Sequence, residues 1–230
     1  MSVDDVVKLL DAVTKLLNVL IWPAVLLFIL IRFGRDLRDF FSSLGELSLK
    51  GAGFEASLKR KQAEVSAALA AAAASRSDGD TNRESAAKEA KIAADIASEV
   101  VTPRVIRRAS RSTVLWVDDF PNNNIYERQA LEALGVNFVL AASTEEALKK
   151  ISRQKFDAII SDMGRPPDSR AGYTLLDQLR SNGDQTPFII YAGSRNPAQV
   201  AESRHRGAIG CANNANELFE MVLSTLGRAV

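Results

Sequence analysis

Carboxylate side chains follow two short apolar runs at the points where polar loops begin. Asp118 and Asp119 come directly after residues 114–117 (VLWV), and Asp162 comes directly after residues 158–161 (AIIS). The carboxyl ends of parallel strands meet at the edge of the sheet where ligands bind. Three carboxylates gathered at that edge repel one another unless a divalent cation such as Mg²⁺ lies between them. The pattern therefore predicts a metal site that can support phosphoryl transfer to an aspartate.

Five strand patterns alternate with five helix patterns in the second half of the chain. This alternation predicts an α/β fold with a doubly wound, five-stranded parallel sheet wrapped by helices. Ser143 and Glu146 form a capping box for the second of these helices. One of the three asparagines at 122–124 is predicted to cap the first helix, and support of the metal ligands is a further role open to them. The predicted strands are 114–117, 137–141, 158–161, 188–191 and 209–211, and the predicted helices are 124–134, 144–154, 173–180, 197–206 and 216–226.

The arrangement resembles the receiver domain of two-component response regulators, over residues from about 113 to 226. The resemblance implies a flavodoxin-like fold in which Asp162 is the phosphoacceptor. It implies that Mg²⁺ is held by Asp118, Asp119, Asp162 and the backbone carbonyl of Gly164. It also implies a histidine kinase or another signalling protein as partner. Further matching positions in the loops are Pro166, Gly172, Pro187 and Gly207-Ala208.

Two positions depart from the receiver pattern. The hydroxyl expected at the end of the fourth strand is replaced by Ala192, with Ser194 two residues later, and the lysine expected after the fifth strand is replaced by Asn214. Losing one charge-assisted contact to a developing phosphoryl charge typically costs on the order of 3 kcal/mol. Two interpretations therefore stay open. Either Asp162 still accepts a phosphoryl group, or the domain is a pseudo-receiver whose carboxylates bind Mg²⁺ or act as a recognition surface.

The composition excludes several other classes of protein. A single cysteine, Cys211, and a single histidine, His205, exclude a disulfide framework and a Cys/His zinc cluster. The formal net charge of +1 gives no overall field that would attract nucleic acid. Hydrolases of the haloacid-dehalogenase kind need an Asp-x-Asp pair, whereas Asp118 and Asp119 are adjacent. We therefore expect neither nucleic-acid binding nor an enzymatic activity.

An uncharged apolar run near the amino terminus predicts a membrane span. Residues 16–31 would form a helix of about 24 Å, and extension to Val13 and Phe33 brings it to the roughly 30 Å hydrocarbon core. More Lys and Arg residues follow the run than precede it, which places the carboxyl-terminal side in the cytoplasm. We expect a single span in the inner (plasma) membrane, with the amino terminus outside and the receiver-like domain in the cytoplasm.

Helix-forming sequence connects the predicted span to the receiver-like domain. Alternating residues around two glycines at 46–58 predict a small hairpin, and Ala-rich helices are predicted over 57–75 and 84–101, the second ending before Pro103. Ile92, Ile96 and Val100 form a thin apolar stripe on the second helix. This stripe could pair with the first helix or with a second copy of the chain, and the helices are either a semi-rigid spacer or an oligomerising coiled coil. The resulting domains are 1–45 (membrane and juxtamembrane helix), 46–111 (hairpin and helical linker) and 112–230 (receiver-like domain).

Taken together, these patterns favour a membrane-anchored signalling protein of the response-regulator type. Because the last predicted helix ends close to Val230, we expect output through protein–protein interaction, including contacts between copies of the chain. The alternative is an oligomeric membrane effector or scaffold that carries a pseudo-receiver without phosphorylation.

Overall fold

The computed structural model of the protein describes residues 53–76, 83–193 and 197–228. Within these ranges no helix is both long enough and apolar enough to cross a membrane. The predicted span at 16–31 lies outside the described residues. The chain divides into two compact units, Met1–Ala56 and Ser57–Val230.

Five parallel strands form one sheet, which confirms the predicted doubly wound arrangement. The strands are β1 (Thr113–Val117), β2 (Asn137–Ala141), β3 (Ala158–Asp162), β4 (Phe188–Tyr191) and β5 (Gly210–Ala212). Their order in the sheet is β2-β1-β3-β4-β5, which is the flavodoxin-like order. The direction of winding reverses between β1 and β3, so this part of the carboxyl edge is where a ligand is expected.

Burial of the strands follows their position in the sheet. Residues 114–117 of β1 and all of β4 are buried, as are residues 158–161 of β3, because helices cover both faces of the central strands. The edge strand β2 leaves three of its five residues partly covered or buried, with Asn137 and Leu140 exposed. The apolar runs that predicted the central strands are therefore the core of the domain.

Eight α-helices are described. They are α1 (53–76), α2 (Arg83–Val100), α3 (Pro103–Ala109), α4 (Ile125–Glu132), α5 (Thr144–Ile151), α6 (Ala171–Ser181), α7 (Pro197–His205) and α8 (Ala215–Arg228). A 3₁₀ turn, Pro121–Asn124, precedes α4, so this helix begins later than predicted. One half of the predicted capping box of α5 is confirmed, since Ser143 Oγ accepts from the Glu146 N–H at 3.1 Å, whereas Glu146 Oε2 accepts from the N–H of Ala142, one residue before the cap, at 2.8 Å.

The hairpin predicted over 46–58 is wrong for the part that the structure describes. Residues 53–58 are the first turns of α1, and residues 46–52 lie outside the described residues. Leu58, Val65, Leu69 and Ala72 recur at helical spacing and pack on one face of α1. Because this face packs against the core, the segment forms a helix. The short alternating pattern around the glycines does not form the predicted hairpin in residues 53–58.

Helices α1 and α2 share a hydrophobic core with the sheet domain, which the spacer interpretation did not anticipate. Leu69 of α1 and Ala97 of α2 lie in the same buried cluster as Leu131 of α4 and Leu226 of α8. The buried positions of α2 are alanines, which let the helices approach closely, whereas Ile92 of the predicted stripe stays exposed. The two helices are thus part of the packed unit.

Candidate functional site

The three predicted carboxylates converge at the carboxyl edge of the sheet. β1 and β3 lie side by side with Val117 opposite Ser161, so the residues that follow β1 come next to the end of β3. Asp118, Asp119 and Asp162 each offer one carboxylate oxygen, and these oxygens all lie within 4.8 Å of one another. The convergence predicted from the sequence is confirmed, and the topology of the sheet is its cause.

Asp118 is held by two hydrogen bonds from the loop that follows it. Its Oδ1 accepts from the Phe120 N–H at 2.7 Å, and its Oδ2 accepts from the Nδ2 amide of Asn124. Asn124 is the N-cap residue of α4, yet it makes no side-chain cap bond because its buried side chain is turned toward Asp118. The predicted capping of the first helix by an asparagine is therefore wrong, and the contact that replaces it supports the acidic site.

Asp162 ends β3 as a half-buried carboxylate. Its Oδ1 accepts from the Met163 N–H at 2.8 Å. Burial, followed by the charge of Asp118, raises the pKa of the Asp162 carboxyl to about 6, and Asp119 adds a smaller upward effect. The Met163 N–H and the Arg165 guanidinium oppose the rise. The site therefore holds more negative charge than its own surroundings neutralise.

Arg165 contacts the end of β3 next to the acidic site, and the sequence patterns did not single it out. Its guanidinium donates to the Ser161 hydroxyl at 2.6 Å and to the Asp162 carbonyl at 2.7 Å. It also donates to the Thr144 hydroxyl at 3.0 Å and to the Ala171 carbonyl at 3.1 Å. Arg165 is buried, and its positive charge is attracted to the negative charges of the three aspartates. In the sequence it looks like any arginine of a polar loop, so only the fold reveals this role.

The loop after β3 brings its backbone close to the acidic site. Gly164 lines the same cleft as Asp162 and Pro166. At Gly172, the second residue of α6, a Cβ would lie only 2.9 Å from the carbonyl oxygen of Asp162. A side chain at this position would push the start of α6 away from β3, which explains why the matching glycine is needed there.

The donor set fits a hard divalent cation. Carboxylate and carbonyl oxygens are the ligands that Mg²⁺ prefers, and a site with several carboxylates gains most from the charge of the ion. Both oxygens of Asp118 accept hydrogen bonds within the chain, whereas only Oδ1 of Asp162 is bonded in this way among the described residues. Asp119 and Asp162 are thus better placed than Asp118 for direct coordination.

The two departures from the receiver pattern have clear structural consequences. Ala192 is buried and lines the cleft, so a methyl group stands where the hydroxyl is expected. Asn214 caps α8, because its Oδ1 accepts from the Glu217 N–H at 2.9 Å, and it does not line the described cleft. Ser194 lies outside the described residues. Neither described position supplies the side chain that the family pattern has there.

An open cleft of about 610 Å³ surrounds the three aspartates. Side chains from the loop after β1 line one wall, among them Phe120 and Asn122, and Tyr191 of β4 lines another. Arg76, at the carboxyl end of α1, also lines this cleft. The sequence patterns missed Arg76 because it lies 42 residues before Asp118 in a segment that looked like a linker.

A family model described as response regulator receiver domain matches residues 114–221. Among curated proteins, the Regulator of RpoS of Escherichia coli (strain K12) is 32% identical over 98 residues, which are 41% of this chain and 28% of that protein. The Sensor protein EvgS of the same organism is 28% identical over 90 residues, which are 39% of this chain and 7% of that protein. The matched segment is thus a small part of each relative.

Among solved structures, the receiver domain of the Francisella response regulator 1452 is similar to this chain. The sequence identity is 25% and the TM-score is 0.47, over 51% of this chain and 98% of that domain.

Proposed function

We propose that this chain, whose residues 114–221 form a response regulator receiver domain of phosphorelay signalling, accepts a phosphoryl group on Asp162. The observation that carries the proposal is the convergence of Asp118, Asp119 and Asp162 within 4.8 Å at the switch point of the sheet. A cleft of about 610 Å³ gives a donor access to this edge.

Different groups of the chain would hold the cation and position the carboxylates at this site. Asp119 and Asp162, with Asp118 and the backbone carbonyl of Gly164, are the groups that would hold Mg²⁺. When bound, Mg²⁺ would supply positive charge that neutralises the charge developing on a transferred phosphoryl group. Hydrogen bonds from Phe120 and Asn124 to Asp118 keep that carboxylate in place without a metal.

Phosphoryl transfer from a histidine donor requires one bond to form and one to break. Oδ2 of Asp162 accepts no hydrogen bond from the described residues and bonds to phosphorus, while Oδ1 accepts from the Met163 N–H and would remain as the oxygen that Asp162 offers to the cation. The phosphorus–nitrogen bond of the donor breaks, its electron pair stays on the imidazole nitrogen, and that nitrogen takes a proton from solvent. The product is an aspartyl phosphate on Asp162 and a free histidine on the donor.

The partners and the location that we propose follow from the sequence and from the receiver domain. A histidine kinase or another signalling protein is the phosphoryl donor. The apolar run at 16–31, with its excess of following basic residues, supports a single span that anchors the chain in the inner (plasma) membrane with the receiver domain in the cytoplasm. Output passes through contacts with other proteins or other copies of this chain.

Direct phosphorylation tests the proposal. The full-length chain in a mild detergent is incubated with Mg²⁺ and acetyl phosphate, and the adduct is measured by intact-mass spectrometry. We expect one phosphoryl group on the wild type, its loss after hydroxylamine treatment, and none on Asp162→Asn. Asp157→Asn is the matched control, since Asp157 lies at the opposite end of β3 and binds the Thr113 N–H.

The opposite outcome has a clear meaning. If the wild type binds Mg²⁺ by calorimetry and carries no adduct at Asp162, the phosphoacceptor proposal falls. The chain would then be the pseudo-receiver that the residues at 192 and 214 left open, with the aspartates acting as a cation site alone.

A further inference from the structure

The cleft around the aspartates contains one basic side chain among the described residues that line it, and that side chain is Arg76. The other charged side chains that line it are the three carboxylates, and the remaining polar ones are neutral residues such as Ser75, Asn122 and Tyr191. Arg76 belongs to α1, which precedes the receiver domain in the chain. An element from outside the matched family segment therefore brings a positive charge to the wall of the cleft, in addition to the buried Arg165.

Contacts from three parts of the sheet edge hold Arg76 at the cleft. Its Nη2 donates to Asn124 Oδ1 at 2.8 Å, and its Nε donates to Glu127 Oε1 at 3.1 Å. Its Nη1 donates to the Asn213 carbonyl at 3.3 Å. The guanidinium carbon lies 4.3 Å from the centre of the Tyr191 ring. The side chain is thus fixed by the last residue of β4 and by groups that follow β1 and β5.

These contacts leave part of the guanidinium able to bind a ligand. An arginine has five N–H donors in a planar fork that matches phosphate oxygens, and three of those of Arg76 are used by described residues. About a third of the side chain stays exposed (32%), whereas its partner Glu127 is 1% exposed. The ion pair with a buried carboxylate anchors Arg76 without covering it.

The position of Asn214 explains why a cation from elsewhere is needed. The side chain of Asn214 caps α8. The backbone carbonyl of the adjacent Asn213 accepts a hydrogen bond from Arg76. The Arg76 guanidinium, carried by α1, therefore contacts the residue that precedes Asn214. It places a positive charge near the end of β5, where Asn214 itself has none.

We propose that Arg76 binds the anionic ligand of this cleft, donating to the oxygens of a phosphoryl group at Asp162. This inference rests on the proposed function, because it assumes that a phosphoryl group enters the site. It makes the helix α1 part of the receiver site, and it ties the segment that precedes the receiver domain to the state of Asp162.

A cation at the cleft has an electrostatic signature that a structural contact lacks. Arg76 attracts an anion and repels a divalent cation, so its removal changes the two affinities in opposite directions. We expect Arg76→Ala to weaken binding of beryllofluoride, measured at saturating Mg²⁺, by about tenfold. We expect the same variant to tighten binding of Mg²⁺ alone by about threefold.

The experiment uses the full-length chain in a mild detergent and isothermal titration calorimetry with Mg²⁺ alone, then with beryllofluoride. Arg76→Lys should keep the wild-type Mg²⁺ affinity and most of the anion affinity, since it keeps the charge. Arg76→Gln also removes the charge, but its amide N–H groups can still bond to the buried Glu127 carboxylate, so it replaces the alanine variant if that variant does not fold. Arg60→Ala is the matched control, because Arg60 lies on the same helix and pairs with Glu64 at the surface.

The outcomes separate this inference from the proposal on which it rests. Suppose that the wild type binds Mg²⁺ and beryllofluoride. If both affinities change in the same direction in the two uncharged variants, or if neither affinity changes, Arg76 has only a structural role and the inference is overturned. If the wild type binds neither ligand, the proposed function fails as well, and the inference falls with it. Opposite changes in the two affinities support the inference.

Discussion

Asp162 is a residue at which the fold opposes ionisation. Burial and the charge of Asp118 raise the pKa of its carboxyl from 3.8 to about 6. The folded chain therefore binds the proton more tightly than the unfolded chain, and the ionised carboxylate costs stability at neutral pH. This excess charge is what a divalent cation would relieve, so the electrostatics of one residue connect the architecture of the site to its proposed ligand.

Without divalent cations, Asp162→Asn should be more stable than the wild type at pH 7.5, by about 1 kcal/mol for this half-exposed side chain. The difference should begin to shrink as the pH falls through about 6 and should vanish once the pH is below 3.8, because the wild-type carboxyl is then mostly protonated in both states. Urea denaturation of the full-length chain in EDTA, followed by circular dichroism, measures it.

The matched control for this prediction is Asp95→Asn, an isosteric change at an exposed position of α2. It should alter the free energy of unfolding by less than about 0.5 kcal/mol at any pH in the range. Equal stability of Asp162→Asn and the wild type at pH 7.5 would show that the carboxylate ionises at no cost, and it would remove the electrostatic argument for a cation.

Helix α1 contributes to the domain both a hydrophobic face and a charged end. Its buried face shares a core with α4 and α8, and Lys61 donates to the Ala133 carbonyl at 2.5 Å. Gln62 donates to the Val101 carbonyl at 3.2 Å, which ties α1 to the end of α2. These contacts fix the axis of α1, and the axis in turn sets where Arg76 reaches the cleft.

Leu69→Ala should lower the free energy of unfolding of the receiver domain by about 3 kcal/mol, because it opens a cavity in a core that α1 shares with the sheet domain. Leu58→Ala, on the same face but only partly buried, should cost about 1 kcal/mol. Hydrogen exchange of the strand amides in the full-length chain reads out the effect. Unchanged exchange in β1 and β3 after Leu69→Ala would mean that α1 is energetically separate from the sheet.

At the scale of the whole molecule, about a hundred residues precede the receiver domain in the chain. Helices α1 and α2 belong largely to the compact unit Ser57–Val230. The proposed span belongs to the residues before them. A change at Asp162 that reaches Arg76 reaches α1, which is the described element next to that amino-terminal segment.

The proposed orientation predicts which parts of the chain are accessible from outside the cell membrane. In a Cys211→Ala background, Ser2→Cys should react with a membrane-impermeant maleimide in intact cells. Ser152→Cys, at an exposed position after α5, should react only after permeabilisation. Labelling of Ser152→Cys in intact cells would show that the orientation is the reverse of the proposed one. Protection of both positions, together with release of the chain into the soluble fraction, would contradict the proposed membrane anchor.

Much of the receiver domain was predictable because its signals are local. The apolar runs of β1, β3 and β4 are buried on both faces, so their composition alone marks them, and the predicted strand bounds differ from the observed ones by no more than one residue. The acidic residues stand directly at the ends of two of these runs. Parallel pairing then brings them together, which is why the site at Asp118, Asp119 and Asp162 could be named from the sequence.

The residues that the sequence did not mark depend on contacts across long separations. Arg165 acquires its role from its buried bonds to neighbouring loops, and Arg76 from the docking of α1, which a helix-forming, alanine-rich sequence does not specify. Asn124 could serve as a cap or as a partner of Asp118, and only the packed loop selected the second. Strand identity and the acidic cluster were thus determined by the sequence itself, because burial and strand ends are written in local composition. The positive charge at the cleft was decided by tertiary structure, because it depends on where one helix packs against others.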